Sequence, residues 1–193
     1  EKDAEYLWQC SQDSEFMTLY NCFIPRNISV DNLRIKLRAE EKLHPCKKKS
    51  ITWIISMETG SKETHNIGIA NLADIQLEHR KAEFLIGIPR ATDRNRGVGL
   101  EATLLVMDFV FNKIKFNKLV SYVYSYNMAS QKNTLSVGFC QESFFQQHLW
   151  EPNSKVFIDV YGNAMTQDNF RINKRIEKLS QRLLGRNIIL QPR

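Results

Sequence analysis

The sequence lacks any C-x-x-C pair and has few cysteines at all: Cys10, Cys22, Cys46 and Cys140. Its four histidines, His44, His65, His79 and His148, do not cluster with them. That spacing excludes a zinc ribbon and a disulfide framework, and it predicts reduced thiols and no metal. Cys140, after Gly138-Phe139, invites a reading as nucleophile, but a half-buried structural thiol fits better where no base is near in sequence. Proline and glycine are scarce, at 5 and 8 residues. No linker-like, repeated or low-complexity stretch divides the chain. No apolar run approaches the ~20 residues needed to span a bilayer, and no signal peptide is visible. A cytoplasmic protein without a membrane partner is the expectation.

What is present is the composition of a globular protein: 193 residues, 42% hydrophobic and 25% charged. This length suits one domain with a real core. The chain opens at Glu1 without a methionine, already inside a helix-like pattern (Ala4, Leu7, Trp8), which leaves open that it is a piece of a longer protein. The net charge of +6 suits a polyanionic ligand. Basic residues concentrate only in Lys47-Lys48-Lys49 and in the tail (Arg171, Lys174, Arg175, Lys178, Arg182, Arg186). Solvated faces explain both better than a nucleic-acid patch does.

Periodicity predicts helices over 3–20 and from Ser29 to before Pro45, the second carrying Leu33, Ile35, Leu37 and Leu43. Three strands follow, an antiparallel meander: Ile51–Met57, then Asn66 to Leu77 beyond a turn at Gly60-Ser61-Lys62, then Ala82–Ile88. A helix with a wide apolar face runs from Leu100 to Phe116. The strand Leu119–Tyr124 is then a parallel neighbour of Ala82–Ile88, since a helix connects them. Asn127 to Ser130 caps a short helix that ends at Gly138. Residues 139–165 form a closing hairpin. Residues 168–184 form an amphipathic helix with Ile172, Ile176, Leu179 and Leu183 on one face.

Between the strand ending at Ile88 and the helix from Leu100 lies Arg94-Asn95-Arg96-Gly97-Val98-Gly99. Glycines there let backbone N–H groups close around an anion, and the helix N-terminus adds partial positive charge. The segment reads as a phosphate cradle. It is not a nucleotide P-loop, because no Lys-Ser or Lys-Thr follows, and its spacing is not the dinucleotide G-x-G-x-x-G. Standing alone, it is equally a tight turn with solvated arginines.

Taken together, these segments resemble the GNAT family of acyl-CoA-dependent N-acyltransferases, from about Ile51 to Met165 and most strongly from Lys81 to Phe139. The family motif [QR]-x-x-G-x-[GA] matches Arg94 to Gly99, and Glu101-Ala102 follows as in the ribosomal-protein and spermidine N-acetyltransferase branch. Asn127, Ser130 and Gly138-Phe139 are similar to that branch's later signature, and His79 to Phe84 is similar to spermidine acetyltransferases.

The resemblance implies a mixed α/β fold: a mostly antiparallel sheet of six to seven strands with one splayed parallel pair, flanked by helices. It implies a GNAT domain over 1–165, leaving open whether the family's first strand is missing at the N-terminus, followed by a helical tail over 166–193. It implies acetyl-CoA or another acyl-CoA as co-substrate. Pantetheine would lie along Ile86, Gly87 and Ile88 as an added strand, and pyrophosphate on Arg94, Asn95, Arg96, Gly97, Val98 and Gly99. Asn127 would bond the thioester region, and Ser130 or Lys132 the far side. For Asn127 and Ser130 a helix cap, and for Lys132 an ordinary exposed lysine, are the competing readings.

The implied reaction is direct attack of a primary amine on the thioester. An ammonium must first lose a proton. Glu83, on the strand beside the thioester, is the candidate base, with a solvent-facing position the alternative. Tyr124 and Tyr126 are further candidates, and Glu101 more simply complements the helix dipole. Many relatives place a tyrosine acid seven residues after the Asn; here that position is Thr134, a poor proton donor. The loop from Pro89 to Asp93 is longer than usual. The acceptor is open among a protein N-terminus, a polyamine and a small molecule, as is homodimerisation. A non-catalytic acyl-CoA-binding module or sensor is the alternative.

Overall fold

The computed structural model describes residues 1–21, 28–58, 63–94, 97–151 and 154–190. The expected turn at 60–62 therefore lies outside the described residues, as do Cys22, Pro25, Asn95, Arg96 and Pro152-Asn153.

The predicted first helix is two helices, α1 (Ala4–Gln12) and α2 (Ser14–Tyr20). The break is local chemistry: Asp13 sits in an extended conformation and its carboxylate accepts from the Phe16 N–H, a competing start signal inside an apolar pattern. Helix α3 (Val30–Glu41) begins at the expected Ser29 cap but buries none of its residues, so Ile35 stays exposed. A short 3-10 turn, Pro45–Lys47, leads into the sheet.

Strands β1 (Ile51–Glu58), β2 (Thr64–Gln76) and β3 (Lys81–Gly87) form the meander. Where a longer loop was expected, Ala91–Arg94 folds as a helical turn, α4. Helix α5 (Val98–Asp108) then passes into a π-helical turn, Phe109–Lys113, a wider ending than the expected run to Phe116. Strand β4 (Lys118–Tyr124), helix α6 (Met128–Val137) and the hairpin of β5 (Cys140–Glu151) and β6 (Val156–Thr166) follow. Two helices, α7 (Gln167–Ile172) and α8 (Lys174–Leu184), replace the single one expected over 168–184. Asn173 divides them, its side chain accepting from the Arg175 and Ile176 N–H groups. Ile172 consequently faces out, 73% exposed, while Ile176 is fully buried.

The sheet has six strands in the order β1-β2-β3-β4-β6-β5. All neighbours are antiparallel except β3 and β4. This is the mixed α/β sheet with one parallel pair that the sequence predicts.

One face of the sheet carries the main core. Ala82, Phe84, Leu72 and Leu119 meet Leu104, Met107 and Phe111 of the α5 segment. Phe111 stacks on Phe170, with ring centroids 4.6 Å apart. Ile176, Ile188 and Ile189 of the C-terminal segment belong to the same core. Part of the basic tail turns inward rather than to a polyanion: Arg186 pairs with the buried Asp108 at 2.8 Å, and Arg171 donates to the Phe111 and Ile189 carbonyls. The other face is covered over β2 and β3 by a smaller cluster of Cys10, Phe16, Met17 and Ile69.

Candidate active site

The parallel pair is closed at one end and open at the other. Lys81, Ala82 and Glu83 pair with Lys118, Leu119 and Val120; beyond that point neither strand pairs with the other. The closed end is pinned by the Arg80 guanidinium, which donates to the Lys115 carbonyl, and by the Asn117 N–H, which donates to the Arg80 carbonyl at 2.7 Å. From Phe84 and Ser121 onward the strands part. The result is a wedge whose inner backbone edges can accept an extended ligand as an added strand.

Glu83 sits at the apex of this wedge, the last paired residue of β3, opposite Ala73 on β2 and Val120 on β4. Side chains alternate along a strand, so Ala82 and Phe84 enter the main core while Glu83 points to the α1/α2 face. It is half-buried, and burial pushes its carboxyl up to about 7, with a smaller contribution from the Asp74 charge. Asp74 stands beside it on a β-bulge, at φ 44°, where the β2–β3 register shifts.

The open end of the wedge faces the start of α5. Gly97 is its N-cap, in the left-handed region at φ 76°, with no side-chain cap on the first turn and open space where a Cβ would stand. Gly97 itself offers no side-chain acceptor to the first N–H groups of α5, which suits an anion there. Ile88 closes on Gly99, where an added Cβ would lie 3.2 Å from the Ile88 Cδ1. Arg94 has a structural engagement: its Nε donates to the Ile88 carbonyl at 2.8 Å and its Nη2 to the Pro89 carbonyl at 2.6 Å. Asn95 and Arg96 lie outside the described residues.

Past β4, Asn127 caps α6 by accepting from the Ser130 N–H at 3.1 Å, and its Nδ2 donates to the Leu19 carbonyl at 3.2 Å. The Tyr126 hydroxyl donates to the Thr18 carbonyl at 2.6 Å. Both side chains thus reach the end of α2. Lys132 is exposed on α6, Ser130 and Thr134 are half-buried there, and Cys140 is exposed rather than half-buried at the start of the edge strand β5. Sequence reasoning missed the buried pair Gln131–Asn163, whose amides bond reciprocally at 2.9 Å in both directions and lock α6 onto β6. It also missed Tyr20, the end of α2, whose ring lies against Gly87 of β3. Among the described residues no group of three or more His, Cys, Asp or Glu gathers for a metal, and no helix is long and apolar enough to cross a membrane.

The arrangement combines a strand-shaped slot, an uncapped helix N-terminus and a carboxyl of raised basicity. The family model described as "Acetyltransferase (GNAT) domain" matches residues 1–140. The chain is 24% identical over 161 residues to the uncharacterized N-acetyltransferase YoaA of Bacillus subtilis (strain 168), covering 83% of this chain and 87% of that one. Its fold is similar to that of the Vibrio cholerae spermidine N-acetyltransferase in complex with CoA and spermine, with a TM-score of 0.73 at 18% identity, covering 88% of this chain and 92% of the other. A dodecameric structure of the Vibrio cholerae spermidine N-acetyltransferase matches with a TM-score of 0.69 at 18% identity, covering 90% and 92%. With the family model spanning most of its length, this chain belongs to the GNAT acetyltransferase family.

Proposed function

We propose that the protein transfers an acetyl group from acetyl-CoA to the primary amine of a polyamine, a protein N-terminus or a small molecule. Glu83 at the apex of the wedge is the observation that carries this reading. In water a carboxylate is too weak a base to take a proton from an ammonium efficiently; one that protonates near 7 is better matched to neutral pH. The amine nitrogen, once deprotonated, attacks the thioester carbonyl. The C–N bond forms, the C–S bond breaks, and the CoA thiolate leaves with a proton from solvent or a side chain.

The donor site is supported by parts that need no particular side chain. The backbone edges of Ile86 to Ile88 offer hydrogen bonds to pantetheine, and the α5 N-terminus at Gly97 to Gly99 offers N–H groups to pyrophosphate. Backbone N–H groups near Ile86 to Ile88, beside the thioester, can stabilise the oxyanion that forms on attack. The structural neighbour that holds CoA and spermine supports a CoA donor and a polyamine among the acceptors.

The test is free-thiol release from acetyl-CoA across a panel of polyamines, peptides with free N-termini and small amines. Release is expected with at least one of them, and the rate should rise with pH through about 7 as Glu83 loses its proton. Glu83→Gln should cut the rate by about 100-fold or more with little change in KM. Wild-type rates in that variant would remove Glu83 as base. CoA binding without thiol release from any amine would favour a non-catalytic acyl-CoA sensor.

A further inference from the structure

Tyr20 is the last residue of α2, and nothing above gives it a role. Its ring stacks on Phe16, with centroids 5.1 Å apart and planes 14° from parallel. Both rings rest on Gly87: a Cβ there would come within 2.5 Å of the Phe16 ring and 2.7 Å of the Tyr20 ring. Glycine at 87 is what allows the pair to settle on the end of β3. The end of α2 is also tied across the wedge, since its Thr18 and Leu19 carbonyls accept from Tyr126 and Asn127, which follow β4. Helix α2 therefore bridges β3 and β4 where they part.

The Gly87 seat lies four residues along β3 from Glu83, on the same face by strand alternation, and the Glu83 charge helps raise the Tyr20 phenol above the ordinary range, after burial and Cys10. Charged and titratable groups face Glu83 from three strands. Asp74 stands on the β2 bulge. Lys81 precedes it by two residues on β3, with Lys118 opposite on β4, and Lys118 is engaged by Glu142 at 2.6 Å. Tyr122 and Tyr124 share its face of β4 by strand alternation. Burial rather than any of these charges is the main influence on the Glu83 carboxyl.

We infer that Tyr20 is a positioning residue: its ring, seated on Gly87 and held by the Tyr126 and Asn127 ties, keeps water off the Glu83 carboxyl on the face where the amine arrives. The inference rests on Glu83 being the base. A carboxylate that has lost hydration is the stronger base, because its charged form is the one water would have stabilised. The aromatic hydroxyl is not required for this; the ring is.

The experiment titrates the Glu83 side chain by carbon-13 NMR in the full chain, with Glu83→Gln assigning the signal, alongside pH–rate profiles of the same proteins. In Tyr20→Phe the midpoint should stay near 7. In Tyr20→Ala it should fall by about 1 pH unit or more toward the ordinary carboxylate value, with kcat at pH 8 reduced about tenfold and KM little changed. Tyr126→Phe removes one tie without touching the ring, and should move the midpoint the same way by less. That variant keeps the inference testable if Tyr20→Ala does not fold. A midpoint unmoved in every folded variant overturns the inference. If instead Glu83→Gln keeps the acid limb of the rate profile, the base assignment falls, while the NMR midpoint still decides whether the Tyr20 ring dries the carboxyl.

Discussion

The two faces of the sheet are covered very differently. On one, Leu104, Met107, Phe111, Phe170 and Ile176 are fully buried in a continuous core that reaches from α5 into the C-terminal segment. On the other, a small cluster around Cys10, Phe16, Met17 and Ile69 covers β2 and β3, and a carboxyl is held half-dry beneath its edge. The first face supplies stability and the second gives some up in holding that carboxyl half-dry. A group held away from its preferred protonation state is a cost the deep core must offset.

Removing part of the deep face should have the largest effect. Phe111→Ala deletes a fully buried ring stacked on Phe170 and should lower unfolding free energy by about 3–5 kcal/mol, read from the urea midpoint. A loss below about 1 kcal/mol would mean that this face is not the stabilising one.

At the mouth of the wedge, Gly97→Glu places a carboxylate on the uncapped α5 N-terminus and a side chain in a left-handed position. CoA affinity should fall by about 100-fold or more, read as loss of the CoA-dependent rise in Tm. Unchanged affinity would move the anion site elsewhere.

Glu83→Gln sharpens the contrast in the opposite direction, toward stability. Folding raises the Glu83 carboxyl from 4.5 to about 7. Its contribution to stability is therefore fully present below 4.5 and is lost as pH rises through about 7. The glutamine variant should match the wild type at pH 4 and exceed it at pH 8 by on the order of 2 kcal/mol in denaturant unfolding. Equal stabilities at pH 8 would mean that the carboxyl is not held dry. The smallest effect belongs to Thr134→Ala, which should change kcat by less than about threefold, since an aliphatic hydroxyl donates protons poorly.

The deep face was legible in the sequence because burial there follows helix and strand periods. The Leu100 helix, the parallel step into β4 and the Asn127 cap all follow from spacing and capping chemistry. Glu83 was reached only through the resemblance, as a carboxylate on the strand beside the expected thioester, and its half-burial had no local signal. What periodicity concealed was interruption: Asp13 and Asn173 each start a new helix inside an amphipathic pattern, so 3–20 and 168–184 each divide. Contacts between distant segments had no local signal. Arg94 looks like a phosphate ligand in sequence, yet it folds back on the Ile88 and Pro89 carbonyls. The meeting of Tyr20 with Gly87 depends on how α2 is tied to the end of β4, over 100 residues later.

The wide turn at Phe109–Lys113 bears on the descent of this chain. Each residue of an α-helix advances the next by about 100°, so an extra residue in a regular helix would swing everything after it out of phase. Phe109 meets Trp53 edge-on at 5.4 Å and Phe111 stacks on Phe170, so the turn is packed on two sides. A π turn is what a one-residue insertion leaves behind when the packing on both sides is kept. Relatives without the turn should therefore align with a single-residue gap within 109–113 rather than with a run of substitutions.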